Sequence, residues 1–154
     1  MIKDIMKYTE KISNKLNELL EKTYDAEKGY KFASENVDNV ELKQFFKERV
    51  KQRYDFGHQL KNEIQAYGQE PDKGGSMKGK MHREWMSLKT AVSSNNEEAI
   101  LEEVERGEQA SIDAYNEILS ESNLPASTEA ILYAQKNLIT ASLNRVKSFE
   151  AIVS

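Results

Sequence analysis

Apolar residues along the chain recur at spacings of three and four, as on one face of an α-helix. From about Asp4 or Thr9 to about Asn36 the stripe is Ile12, Leu16, Leu19, Thr23, Ala26, Tyr30, Ala33 and Val37. Asp38, with Glu41 three residues on, has the form of a capping box and predicts a second helix reaching about Tyr67. Its stripe is Leu42, Phe46, Arg49, Arg53, Phe56, Leu60 and Ile64, and Gly68 stops it. Pro71 and Gly74-Gly75 mark the longest loop. Ser76 is the expected cap of a short third helix with Met81, Trp85, Leu88 and Val92 on one side. Asn95, followed by Glu98, is the expected cap of a fourth, whose stripe is Leu101, Glu105, Glu108, Ile112, Tyr115 and Leu119. Pro125 opens a fifth through Ile131, Ala134, Leu138, Ala141, Arg145, Phe149 and Ile152.

Four of these segments are long, roughly 25–28 residues or about 40 Å at 1.5 Å per residue. The first–second and fourth–fifth loops are short, so each pair reads as an antiparallel hairpin. The connection over residues 68–95 holds the short helix and is long enough to travel the length of a bundle. The predicted fold is all-α, a ferritin-like four-helix bundle of two antiparallel hairpins with a short extra helix in the long crossover. It occupies residues 1–154 as a single domain. A plain up-down bundle with a bulky cap is the competing layout.

Composition changes this picture little. With 154 residues the chain can bury a core without staples, and it has no cysteine for disulfides or thiolate metal sites. No apolar run approaches the roughly 20 residues that span a bilayer, and Met1 to Lys11 has no signal-peptide core. A cytoplasmic location is therefore expected, with no membrane partner. The net charge is −4, from 26 acidic and 22 basic side chains of interspersed sign. No basic stripe stands out, so no nucleic-acid partner is expected.

Several segments together resemble a family. Leu16-Asn-Glu-Leu-Leu-Glu21, Asp25 and Gly29-Tyr30 are similar to the first helix of a bacterial ferritin-like family of unknown function. Glu48-Arg49, Gln52-Arg53, Gly75-Ser76, Gly79, His82-Arg83 and Trp85 continue the likeness. It closes at Ala99-Ile100-Leu101-Glu102 and Glu105-Arg106-Gly107-Glu108, having covered roughly residues 13–120. The resemblance implies a four-helix ferritin-like bundle in a bacterial protein, and no activity. The last helix of that family often carries a histidine, where this chain has Leu143-Asn144-Arg145.

Such a fold invites a di-metal centre, which needs inward glutamates and a Glu-x-x-His on each of two helices. No Glu-x-x-His occurs; the nearest approach, Asp55-Phe-Gly-His58, lies among Lys51, Tyr54, Lys61 and Asn62 on a face that reads as solvated. Glu27, Glu105 and Glu108 fall on or beside the apolar stripes and are the candidate metal residues, iron or another divalent ion being the cofactor. Arg49 and Arg53 fall on the inward line of the second helix at the same level. Permanently charged guanidinium groups repel a cation and neutralise carboxylates. The simpler reading is thus a buried polar cluster of Glu27, Arg49, Arg53, Glu105 and Glu108, with Arg145 joining it and no cofactor. A small-molecule pocket is the third option.

Other features read blandly. His82 and Trp85 are expected to pack the crossover helix on the bundle, a single ligand or proton donor being the other role open to His82. Gly74-Gly-Ser-Met-Lys-Gly79-Lys80 fits a phosphate loop except at Met81, which replaces the magnesium-binding hydroxyl, and no strand precedes it. No nucleophile with a base and acid can be assembled. The expectation is a non-catalytic bundle that acts by protein–protein contact, as a homodimer or with another partner. Phe32, Phe45, Tyr133 and Ile139, outside the stripes, are the apolar residues expected to serve that contact. A degenerate carboxylate metal site with redox or iron-handling chemistry is the alternative.

Overall fold

The stripe expected of the first helix is the line that it buries. Ile12, Leu16, Leu19, Thr23, Ala26, Tyr30, Ala33 and Val37 are all buried, and the helix, α1, runs Ile2–Asn36. The structure, a computed structural model, describes residues 2–73 and 83–153. The remaining helices are α2 (Val40–Ala66), α3 (Arg83–Ser93), α4 (Glu97–Leu119) and α5 (Ala126–Val153), and no strand occurs among the described residues. Ser76 and the glycine-rich segment Gly74 to Lys80, Met81, His82 and the side chain of Trp85 lie outside the described residues.

Both expected caps of α2 and α4 shift by one residue. Asn39, not Asp38, caps α2: its side chain accepts from the Leu42 backbone N–H at 3.0 Å. Asn96, not Asn95, caps α4 by accepting from Ala99 N–H at 3.1 Å. Asn95 has φ 53°, in the left-handed region, and so turns the chain out of α3; a cap residue must be extended, as Asn96 is. Gly68 ends α2 as expected, with φ 78° and the Gln69 N–H bonded back to Ile64 C=O, a closure that favours a residue without Cβ.

The pairs α1–α2 and α4–α5 pack along their lengths, α3 packs on α4 and α1, and α1 also touches α4. Side-chain bonds fix the directions. Tyr8 near the start of α1 donates to Ser122 C=O just past α4, and Lys15 reaches Glu117, so α1 and α4 are antiparallel. Tyr67 meets Thr128, Gln59 meets Gln135, and Arg49 meets Ser142, so α2 and α5 are antiparallel as well. Of the helix pairs in contact, α2 and α5 touch least.

Two apolar clusters fill the interior. One gathers Tyr30, Val37, Leu42, Phe45, Phe46 and Phe149 with the α3 residues Leu88 and Val92. The other gathers Leu16, Leu20, Leu60, Ile64, Ile112 and Leu132. The α5 stripe read from sequence is overturned except at Phe149, which is buried. Thr128, Leu132, Gln135, Ile139, Ser142, Leu143, Val146 and Phe149 are the buried line. Ala134, Leu138, Ala141, Arg145 and Ile152 are exposed. Consequently Ile139 and Phe45 are core residues and not leftover contact residues, whereas Tyr133 is 45% exposed.

Candidate functional site

Between the two apolar clusters lies a charged pair. Arg53 of α2 donates from both terminal nitrogens to Glu108 of α4, at 2.8 Å to Oε1 and 2.6 Å to Oε2. Arg53 is 1% exposed and Glu108 0%. The fork-to-fork geometry satisfies both carboxylate oxygens, the arrangement in which an ion pair survives burial. Aromatic faces surround the cation, with the guanidinium carbon 5.5 Å from the Tyr30 ring centre and 5.6 Å from that of Phe56. Burial alone would lower the Arg53 pKa, but Glu108 and Tyr30 outweigh it and raise it further. The Tyr30 hydroxyl lies against the same carboxylate, and burial with that negative charge holds its pKa far above the usual phenol value.

A hydrogen-bond network extends from this pair to α5. Arg53 Nε donates to Gln52 Oε1 at 3.3 Å, and Ser142 of α5 donates to the same oxygen at 3.5 Å. Arg49 donates to Ser142 Oγ at 3.1 Å while its guanidinium covers the Phe45 ring. One level along, the Tyr115 hydroxyl donates to Gln135 Oε1 at 2.6 Å, and burial raises its pKa. Gln135 in turn donates to Gln59 Oε1 at 2.8 Å. Between α2 and α5 a groove of about 330 Å³ opens over these amides, with Asp55, Phe56 and Leu138 also in its walls.

The structure thus brings together only part of the expected cluster. Arg53 and Glu108 meet. Arg49 reaches Ser142 and, at 3.8 Å, its neighbour Glu48. Glu27 is half-buried on α1 and bonds to none of the other four. Arg145 does not join: it is exposed and lies over the Phe149 ring. Glu105 turns instead to Glu150 on α5. Among the described residues no group of three or more His, Asp or Glu side chains is placed to hold a metal ion. His58 is exposed and edge-on to Tyr54. Glu21 and Asp25, two residues that carry the family resemblance, are buried at 2% and 6% and both are engaged.

Glu150 carries a pH dependence. Burial, then the carboxyl of Glu105, then Glu102 push its pKa up to about 7. The folded state therefore holds a proton that the unfolded chain, ionising near the ordinary value of 4.5, does not. A raised acid contributes stability in full below the unfolded pKa and loses it as pH rises through the folded one. Stability should fall between pH 4.5 and 7, on the order of 1 kcal/mol because the site is partly open to water. Glu150→Gln should flatten that slope in urea titrations across this range; an unchanged slope would assign the proton elsewhere.

Gln59, Gln135 and Ser142 stand out in no stripe or motif of the sequence, and Gln52 only in the family resemblance. Gln135 and Ser142 stand seven residues apart, a helical repeat that was detectable once the phase of α5 was known. The sequence pattern of a family described as Domain of unknown function (DUF2383) matches residues 11–121. The chain belongs to that family. The DUF2383 match spans α1 to α4 and includes both Arg53 and Glu108, while α5 lies beyond it. No curated protein matches the chain. Among the described residues no helix is long and apolar enough to cross a membrane.

Proposed function

We propose that this DUF2383 protein is a ferritin-like bundle of the bacterial cytoplasm, without a catalytic centre, that works by binding protein on its α2–α5 face. The observation that carries the reading is the Arg53–Glu108 pair. In a ferritin-like arrangement the middle of the bundle is where inward carboxylates gather metal ions. Here Glu108 is the fully buried acid at that level, and a bidentate guanidinium takes both its oxygens. A cation brought to Glu108 has to displace Arg53 or share space with it, both costly in a low-dielectric interior. The binding face is supported by the thin packing of α5 on α2 and by the apolar groups that α5 turns outward, Leu138 at 49% and Ile152 at 75% exposure.

Two measurements test the reading. Elemental analysis of protein incubated with ferrous iron should find no stoichiometric metal. Iron bound one-to-one or higher, and lost in Glu27→Gln and Glu105→Gln, would restore the carboxylate-centre alternative. A photo-crosslinking side chain at position 138 should form covalent adducts with protein in cells, and one at position 28, exposed on α1, should not. Equal yields from both positions would overturn the choice of face.

A further inference from the structure

We propose that the occupant of the α2–α5 face is a second copy of this chain, docked antiparallel about a two-fold axis that passes through Ala141. The inference rests on the reading above that this face binds protein. Its basis is the fit between the outward line of α5 and the charges beside it. Ala134, Leu138, Ala141, Arg145 and Ile152 recur at helical spacing on the exposed side of α5, with the small Ala141 near their middle. Small side chains at a crossing point let two helix backbones approach closely.

Two complementary charges on this face have no opposite charge at home, Arg145 lying only over the Phe149 ring. Among the described residues neither Arg145 nor Asp55 has an ion pair or hydrogen bond to another side chain, and both are exposed. Their placement suits a two-fold. The bonds Gln59–Gln135 and Ser142–Gln52 set the antiparallel register of α2 and α5, which puts Asp55 level with Leu138. An axis through Ala141 carries Arg145, four residues on one side, to the level four residues on the other, Asn137 and Leu138 of the facing helix. There it meets Asp55. Symmetry makes the contact twice, and Leu138 of each chain then lies across the groove mouth of the other. Such an isologous contact closes at two copies.

The protein has no cysteine, so Ala141→Cys supplies a single thiol per chain. If the axis is right, two thiols meet and mild oxidation by oxidised glutathione joins them as an interchain disulfide, glutathione being reduced. Lys28→Cys, exposed on α1, should link far more slowly. Sedimentation equilibrium should show a dimer. Its dissociation constant should rise about tenfold or more in Asp55→Arg and in Arg145→Asp, and return toward the original in the double variant. Circular dichroism checks that these surface changes leave the helices intact. A monomer at all concentrations, cross-linking from Ala141→Cys no faster than from Lys28→Cys, or a double variant as weak as the singles would overturn the proposal. Adducts at position 138 to a different protein, from a chain that is monomeric, would overturn this proposal alone and leave the protein-binding reading standing.

Discussion

Glu108→Ala is expected to lower the unfolding free energy by about 3–5 kcal/mol, because it strands the Arg53 guanidinium in the interior. Arg53 is among the largest fully buried side chains, and both its terminal nitrogens are committed to Glu108. Gln52 accepts only from Nε, and the rings of Tyr30 and Phe56 present faces that favour a cation but accept no hydrogen bonds in the plane of its donors. The double change Arg53→Met with Glu108→Leu should cost far less than the single one. It removes both desolvation penalties and fills the space with apolar groups, as the energetics of buried pairs allow. Urea unfolding of the two variants beside the unchanged protein, followed by circular dichroism, decides the matter. A loss below about 1 kcal/mol for Glu108→Ala would mean that water reaches Arg53 and that the pair is not dry.

Phe46→Ala should cost about 3–5 kcal/mol, the usual range for deleting a buried ring whose surroundings cannot close in. Its ring is 0% exposed and stands 5.8 Å from Tyr30 and 5.7 Å from Phe45, centre to centre. Phe45 is itself held against Phe149 of α5, so the cluster links three helices and has little freedom to collapse. Tyr54→Ala on the outer face of α2, where the side chain is 53% exposed, should stay within about 0.5 kcal/mol in the same assay. Equal losses at both positions would show that the cluster does not carry the packing assigned to it.

The two predictions draw on parts of the molecule that differ in how openly the sequence displays them. Phe46 lies on a stripe whose opposite side is charged, so its burial follows from periodicity alone. The same is true of every residue in the α1 stripe. Arg53 also falls on its stripe, and an arginine on an apolar line already demands a buried acid. Which acid answers it is another matter. Glu105 and Glu108 stand three residues apart on α4, close enough in angle for either to point inward. The tertiary packing of α4 brings Glu108 to Arg53 and Glu105 to Glu150.

Helix number, most boundaries to within a residue or two, and the inward faces of α1 and α2 were determined by the sequence, because each depends on local spacing and on residues with fixed backbone preferences. The face of α5 was decided by tertiary structure. Ile131, Leu132, Tyr133 and Ala134 follow one another, as do Leu138 and Ile139, so α5 offers two apolar lines and periodicity cannot rank them. The polar groups rank them. Gln135 and Ser142, both buried, find hydrogen-bond partners in Tyr115, Gln59, Arg49 and Gln52 when the Leu132–Ile139 line turns inward. Those partners sit on other helices, tens of residues away in the chain, and an unpaired amide or guanidinium in the interior would cost more than an exposed leucine.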